Sequence, residues 1–265
     1  MKIGFLGAGA MGGAILSGAI NKGVLDPKDV YVSDMSDAIK EKYSALGCNI
    51  VADNKELGNK SDLVVLAVKP QYAGTALAQF GDTLDGKAVI SIMAGKTTET
   101  IRSLIKGEFR LLRTMPNTPA LVGAGAFALD SGTDLNDEEK AFAEKMFSSI
   151  GIVEWMPENL IDTACALSGA GPAYIYMVIE ALADGGVMEG LPRATAMNLA
   201  AQTVMGAAKM VIETGEHPGV LKDNVCSPGG NTIVGVKTLE EHGVRSAFID
   251  TVVNATAKAR ELGKA

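Results

Sequence analysis

The first thirteen residues, MKIGFLGAGAMGG from Met1 to Gly13, decide the fold of the first half of the chain. Lys2–Leu6 has the nearly continuous apolar character of a buried strand, and Ala14–Asn21 has the period of a helix. The glycines of GAGAMG permit a tight turn, a close backbone approach to a pyrophosphate and close packing of the helix on the strand. This setting predicts a dinucleotide site at the start of a Rossmann-like fold. The predicted contacts are Gly7, Ala8, Gly9, Ala10, Met11 and Gly12.

Short apolar runs continue to alternate with helical patterns as far as Pro157. Runs of this kind, rich in β-branched residues, favour a parallel sheet that is covered on both faces. The predicted strands are Lys2–Leu6, Val30–Ser33, Leu63–Val68, Ala88–Met93, Arg110–Thr114 and Gly125–Leu129. The predicted helices between them are Ala14–Asn21, Asp37–Ala45 and Asp137–Ser149. We therefore assign residues 1–158 to an α/β, doubly wound, Rossmann-like dinucleotide-binding domain.

Long apolar helical patterns replace the strand patterns after Leu160. The predicted helices of this half are Pro172–Met188, Arg193–Thr214, Thr232–Glu241 and Arg245–Leu262. They predict an all-α domain over residues 159–265. Several of these helices are apolar around more than one face, which requires burial by several neighbours. We therefore expect a homodimer through this domain, either helix-swapped or face to face.

The composition limits the class of protein. A net charge of −7 argues against nucleic acid as a partner, because binding to phosphates needs clustered Lys and Arg. The three cysteines, Cys48, Cys165 and Cys226, are widely spaced and predict neither a disulfide framework nor a metal site. The first residues form a strand pattern rather than a leader, and no long uninterrupted apolar run is present. We expect a cytoplasmic protein with a small soluble ligand and no membrane span.

Asp34 follows the second predicted strand, 22 residues beyond Gly12. A carboxylate in this place can accept hydrogen bonds from the adenosine ribose hydroxyls, and it repels a 2′-phosphate. No Arg follows within the next several residues, so the sequence favours NADH over NADPH. The alternative is a structural role, since Asp34 or Ser36 could form the turn or cap the helix that follows.

The segment Ala67–Pro70, AVKP, lies at the carboxyl end of another predicted strand. Open α/β sheets bind their ligands at this end of the strands. Lys69 could reach cofactor oxygens from there, or it could be a surface lysine before a proline. Its spacing in the sequence leaves both interpretations open.

A glycine-rich loop interrupts the helical half at Asp223–Gly235, DNVCSPGGNTIVG. It places backbone N–H groups and hydroxyls just before a predicted helix, and the N-terminus of a helix attracts anions through its unpaired N–H groups and dipole. The pattern favours an anion site. The alternative is an ordinary turn between helices, in which the proline and glycines only reverse the chain.

Eight segments of the chain resemble the pyrroline-5-carboxylate reductase family and occur in the family's order. They are GAGAMGGAI, AVKP, SIMAG, RTMPNTPALV, LSGAGPAY, ADGGVMEGLPR, AAKMVIETGEHPG and LKDNVCSPGGNTI. SPGGNT, together with MPNTP and SGAGPAY, is the most specific signature. The resemblance covers nearly the whole chain and implies an oxidoreductase that reduces 1-pyrroline-5-carboxylate to L-proline with NADH or NADPH, the last step of proline biosynthesis.

The resemblance also implies an N-terminal Rossmann domain, a C-terminal all-α dimerisation domain and an active site at their junction, in dimers that often assemble into decamers. The cofactor contacts that it implies beyond the glycine turn are Asp34 and Asn54 near the adenosine ribose, Lys69 and Pro70 near the ribose and nicotinamide side, and Ala94 and Gly95 near the carboxamide. Ala67 and Val68 of the same AVKP segment are also predicted to contact the cofactor. Many members have Ser or Thr at the position of Asp34 and accept a 2′-phosphate. Some have Thr at Cys165 and Glu at Gly215, so no role is carried over to these two residues.

The substrate of this family carries one carboxylate, which the late loop could hold. The predicted contacts are Ser227, Gly229, Gly230, Asn231 and Thr232, with Asn231 and Thr232 as the main ones. Hydride addition to a protonated imine needs no strong base, so positioning is the expected catalytic effect. A proton, where one is needed, could pass through a hydroxyl at Ser168 or Thr232, the candidate catalytic residues. His217 and His242 lie beside turns and are expected to be structural, and no metal is expected.

Three other functions fit parts of the pattern. A hydroxyacid dehydrogenase of the 3-hydroxyisobutyrate type needs a lysine base, and residues 160–208 contain neither Lys nor His. A non-catalytic dinucleotide sensor is not expected to keep the SPGGNT loop intact. A reductase of a related six-membered cyclic imino acid fits the loop chemistry equally well, so ring size stays open.

Overall fold

The structure, a computed structural model, describes residues 1–263. Its strands are β1 (Ile3–Leu6), β2 (Val30–Ser33), β3 (Asn49–Ile50), β4 (Leu63–Leu66), β5 (Ala88–Ser91), β6 (Arg110–Met115), β7 (Gly125–Asp130) and β8 (Gly151–Met156). Its helices are α1 (Ala10–Asn21), α2 (Asp37–Ala45), α3 (Asn54–Lys60), α4 (Ala73–Ala78), α5 (Thr98–Leu104), α6 (Asp137–Ser148), α7 (Glu158–Ala164), α8 (Gly171–Met188), α9 (Arg193–Thr214), α10 (Pro218–Val225), α11 (Asn231–Glu241) and α12 (Val244–Gly263). A π-helical turn, Cys165–Gly169, follows α7. The predicted order of an α/β half and a helical half is confirmed.

One sheet contains all eight strands of the described residues, in the order β3-β2-β1-β4-β5-β6-β7-β8. The strands from β3 to β6 are parallel to one another. β7 runs antiparallel to β6, and β8 is parallel to β7. The prediction of a parallel sheet is therefore wrong at this edge. A short connection with a 3₁₀ turn at Thr118–Val122 joins β6 to β7, and parallel neighbours would need a crossover of a dozen or more residues.

The sequence prediction missed β3 and β8 and made two strands too long. β3 has only two residues, and β8 lies at the edge of the sheet with Ile152 and Glu154 exposed. Edge strands need only partial burial, so their apolar signal is weak. β4 and β5 end two residues before the predicted Val68 and Met93. The residues beyond these strand ends are therefore loop residues at the carboxyl edge of the sheet.

Two apolar clusters cover the two faces of the sheet. β4 shows the division, because Leu63 and Val65 belong to one cluster and Val64 and Leu66 to the other. The first cluster includes side chains of α1 and α6, and the second includes side chains of α3, α4 and α5. Helices on both faces make this a doubly wound sheet, as predicted.

The described residues form two compact units. The first, which we call the cofactor unit, contains residues 1–170 and the part of α12 from Ala255 onward. The second, the helical unit, contains residues 171–254. Ion pairs from β6 hold α7 in the cofactor unit, so this compact unit extends to Ala170, and the domain boundary at residues 158 and 159 stays a prediction. The helical unit is thus an insertion in the chain of the cofactor unit.

The helical unit has a small core of its own. α8 packs against α9, and the fully buried apolar residues at this contact are Ala183, Ala196 and Ala200. Large apolar side chains remain exposed on the same helices. They include Ile175, Tyr176, Met177, Leu182, Leu199, Met205, Met210 and Ile212. Among residues 1–263, one stretch, Glu158–Met188, is long and apolar enough to cross a membrane by the criteria of length and composition alone.

Candidate functional site

The glycine turn before α1 has the geometry that a dinucleotide needs. Gly7 has a φ of +87°, which favours glycine, and it lies against the Ala67 backbone. A Cβ at Gly12 would lie 2.5 Å from the Gly7 carbonyl oxygen and 2.8 Å from Ala67 Cβ, so only glycine fits between helix and strand. A Cβ at Gly9 would meet no atom within 4 Å. The space next to Gly9 is therefore open to a ligand.

The N-terminus of α1 is free to attract an anion. Its N-cap is Gly9, which has no side chain to cap the first turn, and that turn contains no acidic residue. The first N–H groups and the helix dipole therefore point toward the open space beside Gly9. These residues fit the pyrophosphate of a dinucleotide. A groove of about 400 Å³ continues from Ala8, Gly9 and Ala10 along α1 to Asn21.

Asp34 is held against the glycine turn. Its Oδ2 accepts a hydrogen bond from the Ala8 N–H at 2.8 Å, and its Oδ1 accepts one from the Ser36 N–H at 2.9 Å. Each carboxylate oxygen has a second lone pair, so the group can still accept from a ribose hydroxyl. The turn-forming role is therefore present in the structure and is compatible with binding to the ribose. Ser36 is the N-cap residue of α2, but its side chain makes no capping hydrogen bond.

Asn54 is buried, and its side chain connects two elements. Its Oδ1 accepts a hydrogen bond from the Ser33 hydroxyl at 2.6 Å, and its Nδ2 donates to the Ala76 carbonyl at 3.0 Å. These bonds tie the end of β2 to α4. The geometry gives Asn54 a bracing role next to the predicted ribose site.

The predicted residues of the AVKP segment meet the glycine turn. The Ala67 N–H donates to the Leu6 carbonyl at 2.8 Å, which continues the pairing of β4 with β1 by one residue. The Val68 nitrogen would lie 3.3 Å from a Cβ at Gly7. Lys69 is exposed, and it forms no salt bridge with any residue of the described range. Pro70 begins a 3₁₀ turn. Ala67 and Val68 thus lie next to Gly7, with Lys69 free to reach outward.

Ala94 and Gly95 form the loop between β5 and α5. Gly95 has a φ of +70° and an open Cβ direction, so a ligand could approach its backbone closely. α12 ends beside it, since a Cβ at Gly263 would lie 3.4 Å from the Gly95 carbonyl oxygen. The next residues are fixed, because Thr97 caps α5 through the Thr100 N–H at 3.1 Å.

Ser168 lies in the π-helical turn after α7, and its hydroxyl donates to the Ala164 carbonyl at 2.8 Å. Its oxygen can still accept a hydrogen bond. Asn117, from the MPNTP segment, donates to the Ser168 carbonyl at 3.1 Å and accepts from the Ala126 N–H at 2.8 Å. Asn117 is therefore a brace that sets the position of Ser168. A Cβ at Gly169 would lie 2.8 Å from Met115 Cε, so this turn packs closely on the end of β6.

Arg113 of β6 was not singled out from the sequence, yet it is the centre of a buried ion-pair network. Its side chain is 4% exposed, and its two nitrogens contact Glu158 Oε1 at 3.3 Å and Asp162 Oδ1 at 2.6 Å. Glu158 Oε1 also accepts a hydrogen bond from the Thr98 N–H at 2.7 Å. Burial raises the pKa of the Asp130 carboxyl nearby, and the charge of Glu158 adds to this rise. Only the apolar neighbours of Arg113 in a strand were visible in the sequence.

The SPGGNT loop, in the helical unit, ends at an uncapped helix. Gly230 is the N-cap of α11, no side chain caps it, and the first turn contains no acidic residue. The Gly230 N–H bonds to the Ser227 carbonyl at 3.0 Å, and Gly229 has a φ of +70°. Within residues 1–263 the side chains of Asn231 and Thr232 make no hydrogen bond to another residue. Their polar groups are available to a ligand, as an anion site requires.

The remaining polar candidates are local. Nδ1 of His217 accepts from the Gly219 N–H at 3.1 Å, and Nδ1 of His242 lies 2.9 Å from the Thr238 carbonyl oxygen. Burial raises the pKa of both the Cys48 and the Cys165 thiols, which keeps them in the unreactive protonated form. No group of three or more metal-binding side chains is found among the described residues.

Comparisons with known proteins place these features in a family. A family model described as pyrroline-5-carboxylate reductase dimerisation matches residues 158–262, and one described as NADP oxidoreductase, coenzyme F420-dependent, matches residues 2–95. The chain is 43% identical over 265 residues to a pyrroline-5-carboxylate reductase of Methanosarcina acetivorans, covering 99% of this chain and 98% of the relative. It is 41% identical to one of Escherichia coli, with the same coverage.

Two solved structures extend the comparison to the fold. A pyrroline-5-carboxylate reductase from Coxiella burnetii is similar with a TM-score of 0.92 and 36% identity, covering 98% of each chain. A pyrroline carboxylate reductase from Plasmodium falciparum with NADP bound has a TM-score of 0.88 and 34% identity, covering 99% of this chain and 98% of that one. The likeness therefore extends over nearly the full length of both chains.

Proposed function

The chain belongs to the pyrroline-5-carboxylate reductase family, and on this premise we propose that it binds the substrate of that family, 1-pyrroline-5-carboxylate, through the SPGGNT loop and reduces it with NADH in preference to NADPH. It is an NAD(P)H-dependent oxidoreductase of the last step of proline biosynthesis. The observation that carries the proposal is a pair of helices, α1 and α11, that each begin at an uncapped glycine without acids in the first turn. Each start suits an anion: the pyrophosphate of the cofactor and the carboxylate of the substrate.

The cofactor unit holds the dinucleotide. Gly9 and the N-terminus of α1 receive the pyrophosphate, and Asp34 accepts from the adenosine ribose. Lys69 and the backbone at Ala94 and Gly95 lie at the carboxyl edge of the sheet and contact the nicotinamide side. When bound, the reduced nicotinamide supplies the hydride that adds to the imine carbon.

The late loop orients the substrate. Ser227, Gly229 and Gly230 offer hydroxyl and N–H donors, while Asn231 and Thr232 add side chains that have no partner among the described residues. Thr232→Val removes the hydroxyl at nearly constant volume. We expect the KM for the imino acid to rise about tenfold with a smaller change in kcat, as for a lost hydrogen bond to a charged group. Thr238→Val, in the same helix, is the control and leaves KM unchanged; an unchanged KM in Thr232→Val would refute the contact.

Ser168 is a candidate for proton delivery or positioning. Its hydroxyl proton is used in a bond to Ala164, so its oxygen is the atom that can contact a ligand. A group that only positions the ring accounts for a modest part of the rate. Ser168→Ala is then expected to lower kcat about tenfold without changing its pH dependence, whereas a proton donor would alter the pH profile.

Asp34 makes NADH the preferred cofactor, because its carboxylate repels a 2′-phosphate. Asp34→Ser should shift the ratio of kcat/KM for NADPH over NADH upward by about tenfold or more, since close like charges cost at least about 1.4 kcal/mol. Asp37→Ser removes the same charge from the exposed start of α2 and serves as the control. An unchanged ratio of kcat/KM for NADPH over NADH in Asp34→Ser would show that this carboxylate does not discriminate between the two cofactors.

The active protein is a homodimer through its C-terminal helices. The exposed apolar side chains of α8 and α9 supply a surface that a second copy can bury. Such dimers could assemble further, for example into a decamer, and a cytoplasmic location belongs to the same proposal. Light scattering during size-exclusion chromatography tests the assembly, and a monomer at micromolar concentration would refute it.

The first test of the proposed function is turnover. Oxidation of NADH and NADPH is followed by ultraviolet absorbance with racemic 1-pyrroline-5-carboxylate and, in parallel, with the six-membered imino acid. Faster turnover of the five-membered ring with NADH supports the proposal. Turnover of the six-membered ring alone assigns the other substrate, and cofactor binding without any turnover assigns a sensor.

A further inference from the structure

The loop Ala94–Thr97 is the later part of the connection from β5 to α5 and contains the residues assigned above to the nicotinamide side. Thr98, the first residue of α5, donates its N–H to Glu158 Oε1 at 2.7 Å. Glu158 Oε1 is the acceptor of this N–H, and the neighbouring Thr98 hydroxyl oxygen is buried away from solvent. The far end of the loop therefore depends on a carboxylate that is distant in sequence.

Glu158 is itself held by Arg113. Arg113 uses one nitrogen for Glu158 and the other for Asp162, one turn further along α7. Residues four apart lie on one face of a helix, so a single guanidinium fixes both the start and the middle of α7. The π-helical turn with Ser168 continues from this helix. The same network thus reaches two regions of the proposed active site.

Arg113 anchors the network from within the sheet. Arg113 is almost fully buried within the sheet, and a charge that loses its partner in such a place destabilises the structure strongly. A second tie, from Asn117 to the Ser168 carbonyl, runs from the same end of β6. All of these contacts lie within the cofactor unit.

We propose that Glu158, held by Arg113, is a positioning residue for the nicotinamide: it fixes the loop Ala94–Thr97 at the distance from α7 at which the loop receives the ring. This inference rests on the proposed function, because that function assigns Ala94 and Gly95 to the nicotinamide side. It adds a residue that touches neither substrate nor cofactor. Glu158 acts through the Thr98 N–H and the backbone of the loop.

Two ligands separate positioning from general stability. NADH contains the nicotinamide, and ADP-ribose contains the rest of the molecule without it. In Glu158→Ala the Kd for NADH should rise about tenfold, as for the loss of one charge-assisted hydrogen bond, while the Kd for ADP-ribose stays within about twofold. An equal rise for both ligands, or no rise for either, overturns the proposal.

Glu158→Gln keeps an oxygen that can accept from Thr98 but loses the charge that Arg113 holds. Partial rescue is expected, with the Kd for NADH rising only about threefold and that for ADP-ribose unchanged. This variant decides the question if Glu158→Ala does not fold, because an unchanged Kd for NADH in Glu158→Gln would then overturn the proposal.

Glu139→Gln is the matched control. Glu139, in the first turn of α6, pairs at 2.6 Å with Arg110, which lies on β6 three residues before Arg113, and Glu139 makes no hydrogen bond to the loop Ala94–Thr97 or to Thr98. It should lower the unfolding temperature and leave the ratio of the two Kd values unchanged. A changed ratio in this control would overturn the proposal, because any buried pair on β6 would then have the same effect. Turnover by the wild-type chain tests the proposed function separately, so the two can fail independently.

Discussion

The cofactor unit and the helical unit bury their apolar residues to different degrees. The cofactor unit has two clusters that contain large side chains such as Phe5, Phe80 and Phe147, all fully buried. The helical unit buries only three alanines in this way among its described residues, and its Met177 remains 70% exposed. Burial of apolar surface is the main source of stability. The first unit therefore supplies its own core, whereas the second leaves large apolar side chains exposed, which the proposed homodimer would bury.

The largest expected effect comes from disrupting the proposed dimer surface of the helical unit. Met177→Glu places a charge on the exposed apolar face of α8 in both copies of a two-fold dimer. At about 2 kcal/mol for each lost side chain, the dimer dissociation constant should rise about a thousandfold. Sedimentation analysis over a concentration series measures it. Leu46→Glu, at an exposed apolar position (45%) of the cofactor unit, is the control and should not change the mass; dimers of Met177→Glu as tight as the wild type would contradict the comparison.

Alanine substitutions at two glycines of the cofactor unit should have separate effects on stability and on affinity for NADH. In Gly12→Ala the new methyl collides with the Gly7 carbonyl and with Ala67, neither of which can turn away, so a loss of about 3 kcal/mol is expected. Gly9→Ala meets no atom within 4 Å and should unfold like the wild type. Its methyl occupies the space assigned to the pyrophosphate, so the Kd for NADH should rise about a hundredfold. Thermal unfolding and titration with NADH give both values; normal affinity in Gly9→Ala would show that the space has another use.

The pair of half-buried Arg110 and buried Glu139 gives the next effect. Glu139 accepts two hydrogen bonds from the guanidinium, at 2.6 and 2.8 Å, which lower the pKa of its carboxyl below the ordinary 4.5. Glu139→Gln should therefore cost about 2 kcal/mol near neutral pH. Because the pKa is lowered on folding, this contribution is complete above 4.5 and is lost as the pH falls through the folded value. Denaturant unfolding across this range should show the two proteins converge in acid, and a constant difference would contradict the assignment.

The smallest effect is expected on the solvated face of the helical unit. Lys237 and Glu241 pair within α11, and both side chains are exposed. Exposed pairs of this spacing contribute about 0.3–0.5 kcal/mol, and salt screens them. Lys237→Ala should therefore shift the unfolding temperature by about 1 °C or less, and added salt should remove the shift. A large shift would mean that this face is buried in the assembly, which would enlarge the proposed interface.

The sequence predicted those parts of the fold that local patterns determine. The bounds of α2 and α9 and the glycine turn before α1 follow from helical period and glycine spacing. The direction of β7 and the existence of β8 depend on pairing between distant residues, which short patterns do not carry. A strand at the edge of a sheet also tolerates exposed residues such as Glu154.

The candidate site divides in the same way. Backbone requirements, as at Gly9 and Gly230, were visible because few residue types satisfy them. The bracing hydrogen bonds could not be predicted, because the identity of a polar residue does not indicate which distant residue it contacts. The ribose role of Asn54 stays a prediction, and its hydrogen bond with Ser33 was not predicted. The role of Arg113 depends on carboxylates that are distant in the sequence, so no local pattern indicated it.

The helical unit is inserted in the cofactor unit, which affects how the chain folds during synthesis. Residues from Ala255 onward belong to the cofactor unit but leave the ribosome only after residues 171–254. Domains fold as units during synthesis, usually from the N-terminus. Here the sheet can form early, but the contacts of Gly95 and Thr163 with the end of α12 can form only after the last residues are synthesised. The apolar helices of residues 171–254 are thus synthesised before the cofactor unit is complete.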